Sequence, residues 1–272
     1  MIVFGAIVPH PPIIVPGVGK GEEEKIVKTR EAMERLSREL AEAEPDTIIV
    51  ITPHALLYPD MFNICGMEDL FGNFKDFKDE NFEWEGKNNL ILAREISDKA
   101  ETEGIPALLY DNGDSKYQVD HGVLVPFYFF EDKLVEAHRV LPIAYTYGSR
   151  SEHYVFGQTL AEVAEKSSDR IAIIASGDLS HRLKDTQGGS NLLGQKFDQE
   201  FLESLRQRDE YAIVNMDPEL IEGAGECGYR SALILLGALS GRTYEPKVYS
   251  YEGPFGVGYA VVNFNVLDEV KL

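Results

Sequence analysis

Short apolar runs rich in β-branched residues recur along the chain, and three of them end a few residues before a histidine. These runs and their histidines are residues 1–8 with His10, residues 47–52 with His54, and residues 171–176 with His181. Runs of this length and composition predict buried β-strands. Because the prolines at positions 11 and 12 cannot donate hydrogen bonds to a sheet, the first strand is expected to end near His10.

The segment that joins the first two predicted strands has the pattern of an amphipathic helix. Apolar residues recur at helical spacing between Glu22 and Ala43, and Pro45 ends the pattern. A strand–helix–strand unit of this kind has a right-handed crossover and parallel strands. In such sheets ligands bind at the carboxyl ends of the strands. We therefore expect the three histidines to converge on one edge of one sheet.

Helices and strands continue to the end of the chain. Further strands are predicted at residues 61–66, 105–110, 140–145, 244–251 and 258–266, and further helices at residues 87–103, 151–166 and 231–239. Residues 69–86, which are rich in aromatic and charged side chains, predict a long loop over the sheet. Ile91 is expected in a buried helical stripe, and Ser151 at a helix N-cap. The last two strands predict an antiparallel pair.

The composition is typical of a globular α/β protein. The chain has 272 residues, 44% of them hydrophobic, which is enough for a large core, and we predict a single domain over residues 1–272. It carries 26 basic and 46 acidic residues, and a net charge of -20 makes nucleic acid and membrane surfaces unexpected partners. Two cysteines and the lack of a signal-peptide pattern at the N-terminus predict a cytoplasmic protein.

Further polar residues stand beside predicted turns. His121 lies between an aspartate and a glycine, where its neighbours can orient the ring. Glu226 and Cys227 stand between two glycines just before the predicted helix at residues 231–239, which is almost entirely apolar. Packing explains an acid and a thiol at this position poorly. His138 and His153 are expected to be solvated surface residues.

Two histidines and one carboxylate that leave open positions form the facial triad that binds ferrous iron together with an organic substrate and dioxygen. His10, His54 and Glu226 are candidates for such a triad. His181 and His121 would then remain unligated as proton-transfer groups. Zinc binds the same ligand types, so these residues leave the metal open, and a zinc-dependent hydrolase is a further alternative.

Five motifs follow one another in the order of a known family. They are Pro-His-Pro-Pro at 9–12, Thr-Pro-His at 52–54, Asp-His-Gly at 120–122, Ser-Gly-Asp-Leu-Ser-His at 176–181 and Gly-Glu-Cys-Gly at 225–228. In these motifs the whole chain resembles the class III extradiol ring-cleavage dioxygenases of the LigB type. The resemblance implies an α/β fold, a three-layer α/β/α sandwich around a mixed, mostly parallel sheet.

The resemblance also implies a chemistry. His10, His54 and Glu226 would hold Fe(2+), His181 would take a proton from a catechol, and His121 would donate to the substrate or to oxygen. The expected substrates are a small aromatic diol and O2. The resemblance allows a homo-oligomer.

The sequence Glu-Cys-Gly at 226–228 looks more like the Memo branch and the LigB-like half of AmmeMemoRadiSam system proteins. In the Memo branch a cysteine at this turn joins two histidines at the metal, so Cys227 is the alternative third ligand. A thiolate favours softer metals such as Zn(2+) or Cu(+), and the alternative function is a Memo-like metal-binding redox or partner-binding protein without ring cleavage. Because free cysteines are often buried packing residues, the sequence favours Glu226 over Cys227.

Overall fold

The computed structural model describes residues 1–130, 138–184 and 191–267. Its strands are β1 (Ile2–Val8), β2 (Thr47–Thr52), β3 (Phe62–Cys65), β4 (Asp69–Asn73), β5 (Glu83–Lys87), β6 (Ala107–Tyr110), β7 (Tyr117–Gln118), β8 (Arg139–Ala144), β9 (Ile171–Ser176), β10 (Tyr244–Glu252) and β11 (Tyr259–Val266). Its α-helices are α1 (Pro16–Gly19), α2 (Val27–Glu42), α3 (Leu90–Thr102), α4 (His121–Phe129), α5 (Arg150–Lys166), α6 (Leu192–Gln207), α7 (Glu210–Val214), α8 (Pro218–Ala224) and α9 (Tyr229–Leu239).

The strands form one mixed sheet whose centre is parallel. Strand β1 pairs in parallel with β9, β9 with β2, and β2 with β8. The final two strands add an antiparallel pair beside β1, as the alternating pattern predicted. Strand β8 also pairs with the antiparallel strand β3. The carboxyl ends of the four central strands therefore lie at the same edge of the sheet.

Both faces of the sheet are covered, which makes three layers. Along β9, Ile171 and Ile173 belong to the apolar core on one face, and Ala172 and Ile174 belong to the core on the other. The first core includes buried residues of helices α3, α5, α6 and α9, and the second includes those of α2 and α4. Strands buried on both faces read as continuous apolar runs, which is why the sequence revealed them. The predicted three-layer α/β/α sandwich is confirmed.

Three local predictions were wrong. Residues 69–86 contain the paired strands β4 and β5 rather than a loop over the sheet. Ile91 is 67% exposed, because α3 starts at Leu90 and buries Leu92, Ala93, Ile96 and Ala100 instead. The N-cap of α5 is Ser149 rather than Ser151, since Ser149 accepts from the backbone of Glu152 in a capping box.

Helices α5 and α9 pack at a crossing that only glycine permits. A Cβ atom at Gly157 would lie 2.1 Å from the carbonyl oxygen of Ile234, and one at Gly237 would lie 1.9 Å from that of Tyr154. These neighbours are backbone atoms, which cannot turn aside as a flexible side chain could. The two helices therefore pack close together on one face of the sheet.

Gly157→Ala is expected to lower the free energy of unfolding by about 1–3 kcal/mol, because the added methyl group overpacks this crossing. At an exposed helical position the same change raises stability by roughly 0.5–1 kcal/mol, so the predicted sign is opposite to the intrinsic preference. Urea denaturation measures the effect. Gln158→Ala, at the exposed neighbouring position of α5, is the matched control. A Gly157→Ala protein that is as stable as the wild type would contradict the tight crossing.

Candidate metal centre and active site

Three of the predicted histidines meet at the carboxyl edge of the sheet, and Cys227 joins them. The Nε2 atoms of His10 and His54 are 3.0 Å apart. The Sγ atom of Cys227 lies 3.5 Å from Nε2 of His10 and 3.5 Å from Nε2 of His181. The ligand atoms of His10, His54 and Cys227 all lie within 4.8 Å of one another, and these three residues are called the His–His–Cys group below.

The loop after β9 brings Cys227 into this group. A Cβ atom at Gly177 would lie 2.1 Å from the Cα atom of Gly228, so the two loops approach each other backbone to backbone. The carbonyl oxygen of Asp178 accepts hydrogen bonds from the backbone N–H groups of Cys227 (3.3 Å) and Gly228 (2.9 Å). In return the backbone N–H of Asp178 donates to Sγ of Cys227 at 3.2 Å. The thiol is thus fixed from two sides.

A hydrogen-bond chain sets the tautomer of His10. The hydroxyl of Ser176 donates to the carbonyl oxygen of Gly122 at 2.5 Å, so its oxygen is left to accept from Nδ1–H of His10 at 2.9 Å. This leaves the lone pair of His10 on Nε2, the atom that faces His54 and Cys227. A metal-ligating histidine usually has such a partner on its other ring nitrogen.

The electrostatics of the group suit a transition metal. Burial, followed by the nearby His54 and His121, holds the pKa of His10 well below its ordinary value, and burial lowers the pKa of His54. Both imidazoles are therefore neutral near pH 7 and able to ligate. Burial raises the pKa of the Cys227 thiol, so ligation must displace its proton. Two nitrogens and one sulfur fit iron, zinc or copper, and do not fit the hard cations Ca²⁺ or Mg²⁺.

Glu226 makes its contacts elsewhere. Its carboxylate accepts a hydrogen bond from the backbone N–H of Tyr229 at 2.6 Å, and it lies 4.0 Å from the guanidinium of Arg230. Only 4% of the Glu226 side chain is exposed, and burial raises its pKa to about 7. The carboxylate caps the first turn of α9. The structure thus brings the alternative ligand, Cys227, into the His–His–Cys group, and gives Glu226 other partners.

His121 and His181 flank the group. The ring of His121 stacks on that of His54 with centroids 4.1 Å apart, and burial lowers its pKa to about 4. Asp120 caps the helix that begins at His121 and also accepts from the hydroxyl of Thr52. His181 is 40% exposed, with Nε2 at 4.0 Å from the buried carboxylate of Asp178. Both imidazoles are placed beside the group without belonging to its three ligand atoms.

A cavity of about 580 Å³ opens beside His54 and His121. Its other walls include the aromatic rings of Phe77, Tyr110 and Tyr117. Phe77 makes an edge contact with His121, with ring centroids 5.3 Å apart. A volume of this order accommodates a small molecule, and the aromatic walls suit a flat ring.

Two histidines and two residues near the site differ from the sequence-based expectations or were missing from them. His153, expected on the surface, is fully buried, because its two ring nitrogens lie 2.7 and 2.9 Å from the carbonyl oxygens of Ser149 and Thr146. His138 is half-buried just before β8. The roles of Ser176 and Asp178 were also missed. Their place in the motif that ends at His181 was the only signal that could have pointed to them.

Asp198 supports the loop before His181 from within α6. This carboxylate is fully buried and accepts from the backbone N–H of Ser180 (2.8 Å) and the hydroxyl of Tyr251 (2.7 Å). Burial raises the pKa of Asp198 to about 6. The folded protein therefore keeps the ionised carboxylate at a cost in stability near pH 7.

Asp198→Asn is expected to gain stability relative to the wild type as the pH rises. Because the folded pKa of Asp198 exceeds its unfolded value, the unfolded chain ionises first, and the contribution of Asp198 to wild-type stability falls between about pH 4 and about pH 6. Asparagine cannot ionise, so the difference in unfolding free energy, variant minus wild type, should rise by about 1–3 kcal/mol over this window and then level off. Urea denaturation across this range measures it, with the exposed Glu200→Gln as control. A pH-independent difference would contradict the raised pKa.

Comparison with known proteins identifies a family and several relatives that this chain resembles. The model of the family described as the catalytic LigB subunit of aromatic ring-opening dioxygenase matches residues 5–262. The protein CA_C1420 of Clostridium acetobutylicum is 39% identical over 262 residues, which cover 94% of this chain and 56% of that protein. The chain therefore spans little more than half the length of this relative.

Two further relatives have named activities. The 3,4-dihydroxyphenylacetate 2,3-dioxygenase of Escherichia coli is 26% identical over 87% of this chain and 88% of its own length. The 2-aminophenol 1,6-dioxygenase beta subunit of a Pseudomonas species is 21% identical over 98% of this chain and 94% of its own. A crystal structure of the uncharacterized protein JW3007 from Escherichia coli K12 has a TM-score of 0.64 at 16% identity, over 96% of this chain and 99% of that one, and shows the shared fold.

Among the described residues, none of the helices combines the length and the apolar character that a membrane-spanning helix needs.

Proposed function

We propose, since the chain belongs to the LigB family of aromatic ring-opening dioxygenase subunits, that it is a metal-dependent oxidoreductase that opens a dihydroxylated aromatic ring with O2. The observation that carries this proposal is the His–His–Cys group beside a cavity with aromatic walls, with two unligated histidines next to it. The relatives named for 3,4-dihydroxyphenylacetate and 2-aminophenol support a small aromatic substrate with neighbouring polar groups.

The metal would be held by His10, His54 and Cys227, with Fe(2+) as the first candidate and Zn(2+) or Cu(+) as alternatives. When bound, it would act as a Lewis acid toward the two substrate oxygens and activate dioxygen. The hydrogen bond from Nδ1 of His10 to Ser176 keeps the ligating nitrogen directed at the group.

His181 and His121 would act as proton-transfer groups. Burial lowers the pKa of His181, so its imidazole is neutral and able to accept a proton from a substrate hydroxyl at neutral pH. Its Nε2 lies close to the thiol of Cys227, within reach of a substrate bound there. His121, stacked on His54 in the wall of the cavity, would orient the substrate or donate to it.

The test is anaerobic reconstitution with ferrous iron, followed by exposure to O2 and a panel of catechols and aminophenols. Ring opening produces a conjugated product whose absorbance is followed directly. Activity on at least one compound, which requires both iron and O2, is the expected result. A flat response across the panel, despite one bound iron per chain, would overturn the proposal.

One specific observation favours a second candidate, a metal-binding redox or partner-binding protein of the Memo kind. The ring-cleaving facial triad uses a carboxylate, whereas the donor beside His10 and His54 is the thiol of Cys227. Thiolates select softer metals, so this candidate predicts stoichiometric zinc or copper, with no ring opening after reconstitution with iron. Metal analysis of protein purified without oxygen, combined with the substrate panel, separates the two functions.

A further inference from the structure

A second cavity of about 580 Å³ is lined in part by residues that precede and follow Cys227 in the chain. Three arginines line it, Arg150, Arg182 and Arg230, and each comes from a different part of the chain. Glu226, the residue before Cys227, also lines it. The cavity is therefore next to the His–His–Cys group, although none of the three ligand residues is among its walls.

Two of these arginines bind backbone carbonyl oxygens rather than carboxylates. Arg150 and Arg182 donate to backbone carbonyl oxygens, those of Met216 and Glu222. Outside the cavity Arg170 also binds backbone carbonyl oxygens, whereas Arg35 and Arg242 each lie 3.0 Å from a glutamate. Among the described residues Arg150 and Arg182 form no ion pair with a carboxylate, so both charges remain available to an anionic ligand.

Arg230 is the least satisfied of the three. Its nearest carboxylate is that of Glu226, at 4.0 Å, which is beyond hydrogen-bond distance. Its Nε atom is buried and has no hydrogen-bond partner within the part of the chain that the structure describes. A buried guanidinium N–H without an acceptor is costly unless a ligand supplies one.

Two helices begin at this cavity. Helix α5, of 17 residues, and helix α9, of 11 residues, both begin at this cavity, since Ser149, Arg150, Tyr229 and Arg230 lie in its walls. The N-terminus of a helix carries a partial positive charge, but here Glu152 and Glu226 already accept from the backbone N–H groups of Ser149 and Tyr229, so the arginines supply the charge of the site. The two glutamates that also line the cavity, Glu222 and Glu226, leave the arginines in excess.

We propose that this cavity binds the anionic group, a phosphate or a carboxylate, of a small molecule. Guanidinium groups match both anions through paired hydrogen bonds, and the volume leaves room for more than the anion itself. With three arginines against two glutamates, the cavity lining carries a net positive formal charge in a chain whose net charge is -20. The site goes beyond the proposed ring-opening activity, because anion binding needs neither metal nor O2.

The test measures binding of two probes, inorganic phosphate and succinate, to the full chain by calorimetry and thermal unfolding, with sodium chloride at matched ionic strength as reference. We expect saturable binding of at least one probe. The comparison of phosphate with succinate shows whether the cavity prefers a phosphate or a carboxylate. Arg182→Ala should weaken that binding tenfold to a hundredfold, roughly the loss of a charge-assisted hydrogen bond. Arg94→Ala, an exposed arginine on α3, is the matched control and should bind as the wild type does.

Two further variants complete the test. Arg150→Ala, at the first residue of α5, repeats the test at a second position, should Arg182→Ala, in the loop after β9, fail to fold. His54→Ala, which alters the His–His–Cys group, should keep anion binding. The proposal is overturned when the wild type binds neither probe saturably, when folded Arg182→Ala and Arg150→Ala both bind as tightly as the wild type, or when His54→Ala loses binding, since the anion would then sit at the metal. Ring-opening activity enters none of these outcomes, so failure here is distinguishable from failure of the proposed function.

Discussion

Metal binding is expected to be lost in Cys227→Ala and retained in Glu226→Gln. Cys227 contributes one of the three atoms of the His–His–Cys group, whereas the Glu226 carboxylate accepts from the backbone of Tyr229 instead. Removing a residue that only orients a ligand typically costs tenfold to a hundredfold in metal affinity, so removing a ligand should cost more than about a hundredfold. Glutamine keeps the carbonyl oxygen that caps α9, which limits the damage of the second variant to the helix.

The measurement is elemental analysis after anaerobic reconstitution with ferrous iron and, separately, with zinc. His10→Ala and His54→Ala serve as controls for ligand loss and should also bind little metal. The opposite pattern, with metal retained in Cys227→Ala and lost in Glu226→Gln, would identify the Glu226 carboxylate as the third ligand. The ligand set would then be the facial triad that the sequence favoured. Folding of each variant is checked by its urea midpoint.

His181→Ala is expected to keep its metal and to lose turnover by about a hundredfold to ten-thousandfold, the usual cost of a missing general base. The imidazole of His181 is neutral, lies 3.5 Å from the thiol of Cys227, and remains 40% exposed to an incoming substrate. The readout is the rate of ring opening on the best substrate of the catechol panel, measured across pH.

Two further measurements make this prediction specific. With a base at His181, the wild-type rate should fall on the acid side as the imidazole takes up a proton, and this limb should disappear in the variant. Arg94→Ala, distant in sequence and exposed, should keep the wild-type rate. Loss of metal in step with activity would instead identify His181 as a ligand.

The sequence predicted the centre of the fold well, because β1, β2 and β9 are buried on both faces and read as unbroken apolar runs. Their parallel pairing then placed His10 and His54 at one edge without further information. Residues 69–86 were misread because their strands are short and interrupted by charged residues at the margin of the sheet.

The sequence named both Glu226 and Cys227 as candidates for the third donor, but it could not show which of them lies beside His10 and His54. Glu226 and Cys227 are neighbours, and which of them faces the histidines depends on the backbone contact between Gly177 and Gly228. That contact joins loops far apart in the chain, so no local propensity encodes it. His153 was misread because its burial depends on how the chain folds just before α5, which brings the carbonyl oxygen of Thr146 to 2.9 Å from its Nε2 atom.

The approach of Gly177 to Gly228 also couples metal affinity to completion of folding. His10 and Cys227 are 217 residues apart in sequence, and their atoms meet only after the first strand and the last helix have both docked on the sheet. An unfolded or half-assembled chain has no comparable ligand set, so metal would bind the native state selectively and stabilise it by about 2.7 kcal/mol at a free concentration one hundred times the Kd. With the proposed ligand set, metal uptake would follow the docking of both ends of the chain, and a substitution far from the ligands that loosens either end should weaken metal retention.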